Sequence, residues 1–190
     1  MPGAASAAEP DDATLVAAAR RGDRAAFGGL YRRHARLVQA VVLARVAPDS
    51  VADLVQDVFL SAMGRLGSLR DGGAFAPWIA TIARRHAADW RRRRRDTVTL
   101  EEAPEGAEAG PESTDHAERA MSRTRAEAAL AVITSLPETY RETLLLRFVS
   151  GLTGLEIAER TGLTHGSVRV NLHRGVALLR ERMGKVGGHA

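Results

Sequence analysis

The chain has 190 residues, a formal net charge of +4 and no cysteine. The missing thiols exclude a disulfide framework, a thiolate zinc site and a Cys nucleophile together. Ala, Leu and Arg abound and aromatic residues are few, a composition that favours an all-α fold.

The first helix expected is short, capped by Asp12, carries Leu15, Val16 and Ala19, and stops at Gly22. Asp23 then caps a longer helix with Phe27, Leu30, Tyr31, His34, Val38, Val41 and Val42 on one side. That recurrence at three and four residues defines an apolar stripe. Pro48 breaks the chain and Asp49 restarts it, with Val51, Leu54, Val55, Val58, Phe59 and Leu66 at helical spacing. Residues 67–73 (GSLRDGG) read as a loop, and the next helix begins near Pro77, which suits a first turn. It carries Phe75, Ile79, Ile82, Ala83, His86 and Trp90 along one face before running into Arg91–Arg95.

Composition shifts abruptly after Arg95. Residues 96–120 are rich in Glu, Ala, Gly and Pro and almost free of large apolar side chains. Such a segment cannot bury enough surface to offset its ordering entropy, so a flexible acidic linker is expected there. The domains are then 12–95 and 121–185. Charge follows the same division: residues 13–95 hold 16 Arg against 6 acids, residues 96–120 hold 8 acids against 1 Arg, and residues 121–190 hold 10 basic residues against 6 acids. Two basic blocks around an acidic strip point to two modules facing polyanions; solvated basic helices are the plainer alternative.

Four helices are expected in the second block. Ala126, Leu130 and Ile133 mark one, and Pro137 begins another that carries Tyr140, Leu144, Leu145 and Phe148 up to Gly151. Thr153 and Glu156 form a capping box for a short third helix ending at Gly162. Thr164 caps the last, whose seam is Val168, Leu172, Val176 and Leu179. Two helices joined by Gly162-Leu163-Thr164 make a helix-turn-helix, although a helical hairpin in a bundle would share the pattern. The outward positions of its second helix are His165, Ser167, Arg169, Asn171, His173 and Arg174, polar groups able to reach bases or phosphates.

Residues 135–180 resemble the region 4 domain of extracytoplasmic-function sigma factors in the sigma-70 family. The matching features are Leu136-Pro137-Glu138, Tyr140-Arg141, Gly151-Leu152-Thr153, Glu156-Ile157-Ala158-Glu159 and Gly166-Ser167-Val168. The stretch Asp53-Leu54-Val55-Gln56-Asp57-Val58-Phe59-Leu60 resembles region 2.2 of the same family. Phe75, Trp78-Ile79, Ile82-Ala83-Arg84, Asp89 and the arginine run resemble regions 2.3 to 2.4. Two departures stand out: Arg85 where the family often has Asn, and Asn171 where it tends to have a basic residue.

The resemblance implies an alternative sigma factor, built from a region 2 bundle and a region 4 helix-turn-helix. It would bind core RNA polymerase and direct initiation at promoters carrying minus-35 and minus-10 elements. Asp53, Gln56 and Asp57, which share a helix face, would dock on the β′ clamp helices, unless that face is simply solvated. Arg70, Asp71, Phe75, Arg84, Arg85 and His86 would serve the minus-10 element and the capture of an unstacked base. Trp90, Arg91, Arg92 and Arg93 would add contacts there, the arginines to phosphates. His165, Ser167, Arg169, Asn171 and Arg174 would read the minus-35 element, with region 4 lying on the β flap and the acidic linker threading toward the RNA exit path. A cognate anti-sigma factor is the second partner implied.

Several other classes fit poorly. A stand-alone helix-turn-helix regulator accounts for the second block but leaves Asp53–Leu60 and the Arg-rich helix unexplained. The six His, at 34, 86, 116, 165, 173 and 189, form no HExxH or other metal pattern. No cofactor, metal or enzymatic role is therefore expected. No run approaches the roughly 18 apolar residues of a membrane span, and residues 1–12 lack the basic start and apolar block of a signal peptide, so a cytoplasmic location is expected. The chain ends soon after its last helix with no sensory domain, so control is expected from outside.

Overall fold

A computed structural model describes residues 9–98 and 126–187, and all of its regular structure is helical. The first module comprises α1 (Asp12–Arg20), α2 (Arg24–Leu43), α3 (Val51–Arg65) and α4 (Phe75–Val98). The second comprises α5 (residues 126–134), α6 (Glu138–Phe148), α7 (Gly154–Thr161) and α8 (His165–Gly187). Helix α4 runs three residues past the compositional break at Arg95; the rest of the expected linker, residues 99–120, lies outside the described residues.

Local chemistry explains the helix ends. Asp23 Oδ1 accepts from Ala25 N and Ala26 N at 2.8 and 3.0 Å, starting α2 as the sequence suggested. For α1 the cap is Asp11, not Asp12: Asp11 Oδ1 accepts from Thr14 N at 2.8 Å. The Asp12 carboxylate is engaged elsewhere, accepting from Arg33 Nη1 and His34 Nε2, each at 2.8 Å. Burial alone would raise the Asp12 pKa, but those two donors hold it below the ordinary value. Asp49 does not restart the chain by capping either. It lies within a 3-10 turn, Pro48–Ser50, that leads directly into α3.

Helix α2 is the axis of the first module, packing against α1, α3 and α4. Its Leu30, Leu37, Val38, Val41 and Val42 are buried among Leu54, Val58 and Phe59 of α3 and Phe75, Ile79 and Ala83 of α4. Aromatic contacts fill the gaps: Phe27 meets Phe59 edge-on at 6.4 Å, and Phe75 lies 5.1 Å from the His34 ring and 5.7 Å from Trp78. Tyr31, expected on the buried stripe, rests on Phe59 but stays exposed.

The loop expected at residues 67–73 contains two 3-10 turns, Leu66–Ser68 and Gly72–Ala74, and α1 props it from beneath. The Arg20 guanidinium donates to the Leu66 and Leu69 carbonyls. A Cβ on Gly72 would stand 2.9 Å from Ala13 Cα, so only glycine allows so close an approach. Asp71 Oδ1 accepts from Gly73 N at 2.9 Å and closes the second turn.

In the second module the capping box forms as expected. Glu156 N donates to Thr153 Oγ1 at 3.3 Å, and Thr153 N donates to Glu156 Oε2 at 2.8 Å. Gly162 ends α7 at φ 74°, the left-handed region glycine favours. Thr164 Oγ1 then accepts from Ser167 N at 3.1 Å and starts α8. Helices α7 and α8 both pack on α6. Val168 is fully buried, while Leu172, Val176 and Leu179 are half-buried.

Candidate nucleic-acid interface

Three surfaces carry the residues singled out from the sequence. On α3, Asp53, Gln56 and Asp57 are exposed on one face, with Leu60 and Met63 also exposed further along the helix. An acidic face bordered by uncovered apolar side chains suits a protein partner with basic and apolar groups better than it suits DNA.

The second surface is the 66–74 loop and α4. Arg70 and Asp71 are exposed on the loop, and Arg85, Arg92 and Arg93 on the helix. His86, Trp90 and Arg91 are half-buried. Arg94 places its guanidinium 5.0 Å from the Trp90 ring centre, a cation–π contact that fixes the indole at the helix surface. Phe75 departs from the expectation. It is 0 % exposed and forms part of the core that supports the loop, so its ring is not available to a base. As the first residue of α4, directly after the loop, it packs inward on His34 and Trp78.

The third surface is the start of α8. His165, Ser167, Arg169, His173 and Arg174 are exposed together, which is the arrangement a recognition helix requires. Asn171 is the exception, only 8 % exposed. It faces the first module across a cleft shared with Arg45, Arg84, Glu142 and Thr161.

That cleft contains a buried ion-pair network. The Glu142 carboxylate of α6 accepts from Arg45 Nη2 at 2.5 Å and from Arg84 Nη2 at 2.7 Å. Its side chain is 8 % exposed and that of Arg45 is 9 % exposed. Burial would push the Glu142 pKa up, yet the two guanidinium groups hold it below the ordinary value. Glu138, one turn earlier, bridges Arg45 Nε at 3.0 Å and Arg91 Nη1 at 2.9 Å. Arg84 Nη2 also donates to the Thr161 carbonyl at 3.2 Å, and Arg141 Nη1 donates to the Ala44 carbonyl at 3.0 Å. Ser150 Oγ donates to the Arg36 carbonyl at 3.0 Å. Reading the sequence did not single out Arg45 or Glu142, and noted Glu138 only as part of the Leu136-Pro137-Glu138 motif. The available signal was Arg45, a lone charge in the apolar run Val41–Val46, which requires a buried partner.

Comparison with known proteins accounts for both modules. The family model described as Sigma-70 region 2 matches residues 30–97, and that described as Sigma-70, region 4 matches residues 126–179. The chain is 35 % identical over 187 residues to the ECF RNA polymerase sigma factor SigD of Mycobacterium tuberculosis, covering 93 % of this chain and 85 % of that one. It is 32 % identical over 171 residues to the RNA polymerase sigma factor CarQ of Myxococcus xanthus, covering 88 % and 94 %. Against the probable RNA polymerase sigma factor RfaY of Xanthomonas campestris it is 33 % identical over 169 residues, and there it spans only 42 % of the relative's length. The fold is similar to that of CnrH, solved in complex with the cytosolic domain of CnrY, with a TM-score of 0.64 at 24 % identity over 92 % of this chain and 97 % of that one.

Proposed function

The chain belongs to the extracytoplasmic-function branch of the sigma-70 family of RNA polymerase sigma factors, and on that footing we propose how its surfaces divide the work of promoter-specific initiation. Asp53, Gln56 and Asp57 dock on the β′ clamp helices of core polymerase, where their shared exposed face meets basic groups. The observation that carries the reading is the order of the parts: an acidic docking helix, an arginine-rich helix and a capped helix-turn-helix in one chain.

The exposed start of α8 enters the major groove of the minus-35 element. His165, Ser167, Arg169 and Arg174 face base edges and phosphates, and Val168 anchors the helix from behind. Arg70 and Asp71 on the loop, together with Arg84, Arg85, His86 and Trp90 on α4, take the minus-10 element and assist strand opening. Trp90 offers a stacking surface and Arg91, Arg92 and Arg93 offer phosphate contacts. These are binding tasks, so the protein acts without catalysis of its own. Among the described residues no helix is long and apolar enough to cross a membrane, and the protein works in the cytoplasm beside polymerase. A cognate anti-sigma factor covers the docking faces when the regulon is silent, and the acidic 96–120 strip runs toward the RNA exit path.

The test is reconstitution with core polymerase lacking sigma, followed by run-off transcription on genomic promoter fragments. Transcripts that share one pair of upstream elements support the reading. DNA binding with neither polymerase association nor transcripts overturns it in favour of a stand-alone regulator.

A further inference from the structure

Arg70 and Asp71, the loop residues assigned above to the minus-10 element, are exposed, yet the chain on either side of them is pinned. On the entry side Leu66 and Leu69 are buried. Arg20 Nε donates to the Leu66 carbonyl at 3.2 Å, and Arg20 Nη2 donates to the Leu69 carbonyl. The Leu69 carbonyl belongs to the planar peptide group that leads into Arg70, so this bond fixes the direction in which Arg70 departs. On the exit side Gly72 sits so close to α1 that a Cβ would stand 2.9 Å from Ala13 Cα and 3.4 Å from Val16 Cβ. The Asp71 carboxylate is itself tied to Gly73 N at 2.9 Å.

Both sides of the tip therefore rest on one helix, and that helix is held in turn. Leu15 and Val16 of α1 are buried, and Asp12 accepts from Arg33 Nη1 and His34 Nε2 of α2. Direct contacts thus run from the α2 axis through α1 to the loop. A guanidinium suits the last step, because its planar fork of donors can reach two carbonyls at once.

We propose that Arg20 is a positioning residue for promoter recognition: without touching DNA, it holds the Arg70–Asp71 tip in the shape that favours one minus-10 base over the others. This rests on the minus-10 reading of the loop. Contacts that tell one base from another depend on direction, whereas phosphate contacts carry no sequence information. A tip ordered before DNA arrives spares binding the cost of ordering it. Once loosened, it loses roughly tenfold in affinity for each residue that binding must order. The loss falls on the preferred base, because a disfavoured base makes few directed contacts to lose. Removing Arg20 should therefore flatten base preference at one position, whereas a general loss of stability lowers output from every promoter alike.

The test uses the full-length protein with core polymerase and one promoter active in run-off transcription. Its minus-10 and minus-35 elements are changed one position at a time to each base, and relative transcript yields give the preference at each position. Arg70→Ala and Asp71→Ala mark the position that the loop reads. Arg20→Met keeps the apolar stem and loses the donors; it is expected to lower the preference at that same position roughly tenfold. Preferences within the minus-35 element and affinity for core polymerase should stay unchanged. Arg20→Lys, with a single ammonium in place of the fork, should fall between Arg20→Met and the parent. Gly72→Ala forces the exit side off Ala13 and should flatten the same position. It stands in if circular dichroism shows that Arg20→Met does not fold. A folded Arg20→Met protein that keeps the preference overturns the proposal, and so does an equal loss across all promoter versions. If Arg70→Ala and Asp71→Ala change no preference, the minus-10 reading of the loop fails and the positioning role with it. A preference that responds to Arg70 and Asp71 but not to Arg20 or Gly72 overturns the positioning role alone.

Discussion

The two modules are held together by different means. In the first, 27 apolar residues are buried around α2, whereas the described part of the second buries eight and leaves Phe148, Val149, Leu155, Leu163 and Val170 exposed. The first module therefore specifies its own shape by packing. The second depends more on caps, on its glycine turn and on its contact with the first module, which joins ion pairs to apolar packing. A self-sufficient core suits a part that must stay rigid while strands separate around it. A lightly built part suits one that has to be carried to a distant DNA element.

Mutation can break this comparison at several points. The largest effect is expected from Phe75→Ala, which should cost the first module about 3–5 kcal/mol, as other Phe truncations in packed cores do. Urea unfolding of residues 9–98 in the full chain would read it. Phe75→Leu should cost less than about 1.5 kcal/mol and leave promoter opening intact; lost opening in a stably folded Phe75→Leu protein would return the ring to the DNA surface. Next in size is Ile157→Ala, at about 2–5 kcal/mol. It should lower the midpoint of the second module while the first keeps its own, and two transitions in a calorimetric scan would show this. A single shared transition would mean that the joint is stronger than its chemistry suggests.

Acidification sharpens the contrast without mutation. The folded pKa of Glu142 is depressed below the ordinary carboxylate value. Its contribution to the contact between the modules is therefore complete above the ordinary carboxylate range and is lost as pH falls through the depressed value. The contact between the modules should loosen over that acid window, read as a rise in the radius of gyration by small-angle scattering, while the helix signal persists. The Asp12 pKa is lowered as well, so the first module loses some stability with the same sign. A smaller effect is expected from Thr153→Ala, which removes the capping box and should cost the second module about 1 kcal/mol. Thermal melts followed at the helix signal would detect it.

Much of this organisation was legible in the sequence. Caps and turns are local, so Asp23, the Thr153–Glu156 box, Gly162 and Thr164 could be read from a few neighbouring residues. The exposed face of Asp53, Gln56 and Asp57 follows from helical spacing in the same way. Asp11 and Asp12 are both able to cap, and the choice between them was settled by Arg33 and His34, more than twenty residues away along the chain. Phe75 and Asn171 were misplaced for a related reason: residue type indicated their chemistry, but partners from other helices determined their burial. Glu142 was beyond reach. At one-turn spacing from Glu138 it has the pattern of an ordinary solvated face, and its two arginines lie 58 and 97 residues away.

The support beneath the 66–74 loop has a consequence for portability. The region 2 family model begins at residue 30, so it omits α1, yet Arg20 of α1 grips the carbonyls of Leu66 and Leu69, and Ala13 leaves room only for glycine at position 72. Loop and helix are therefore a single transplantable unit. A loop moved between relatives without its α1 would arrive without its seat, and a chimaera intended to change promoter preference should be cut ahead of Pro10 and the Asp11 cap, not at the edge of the loop.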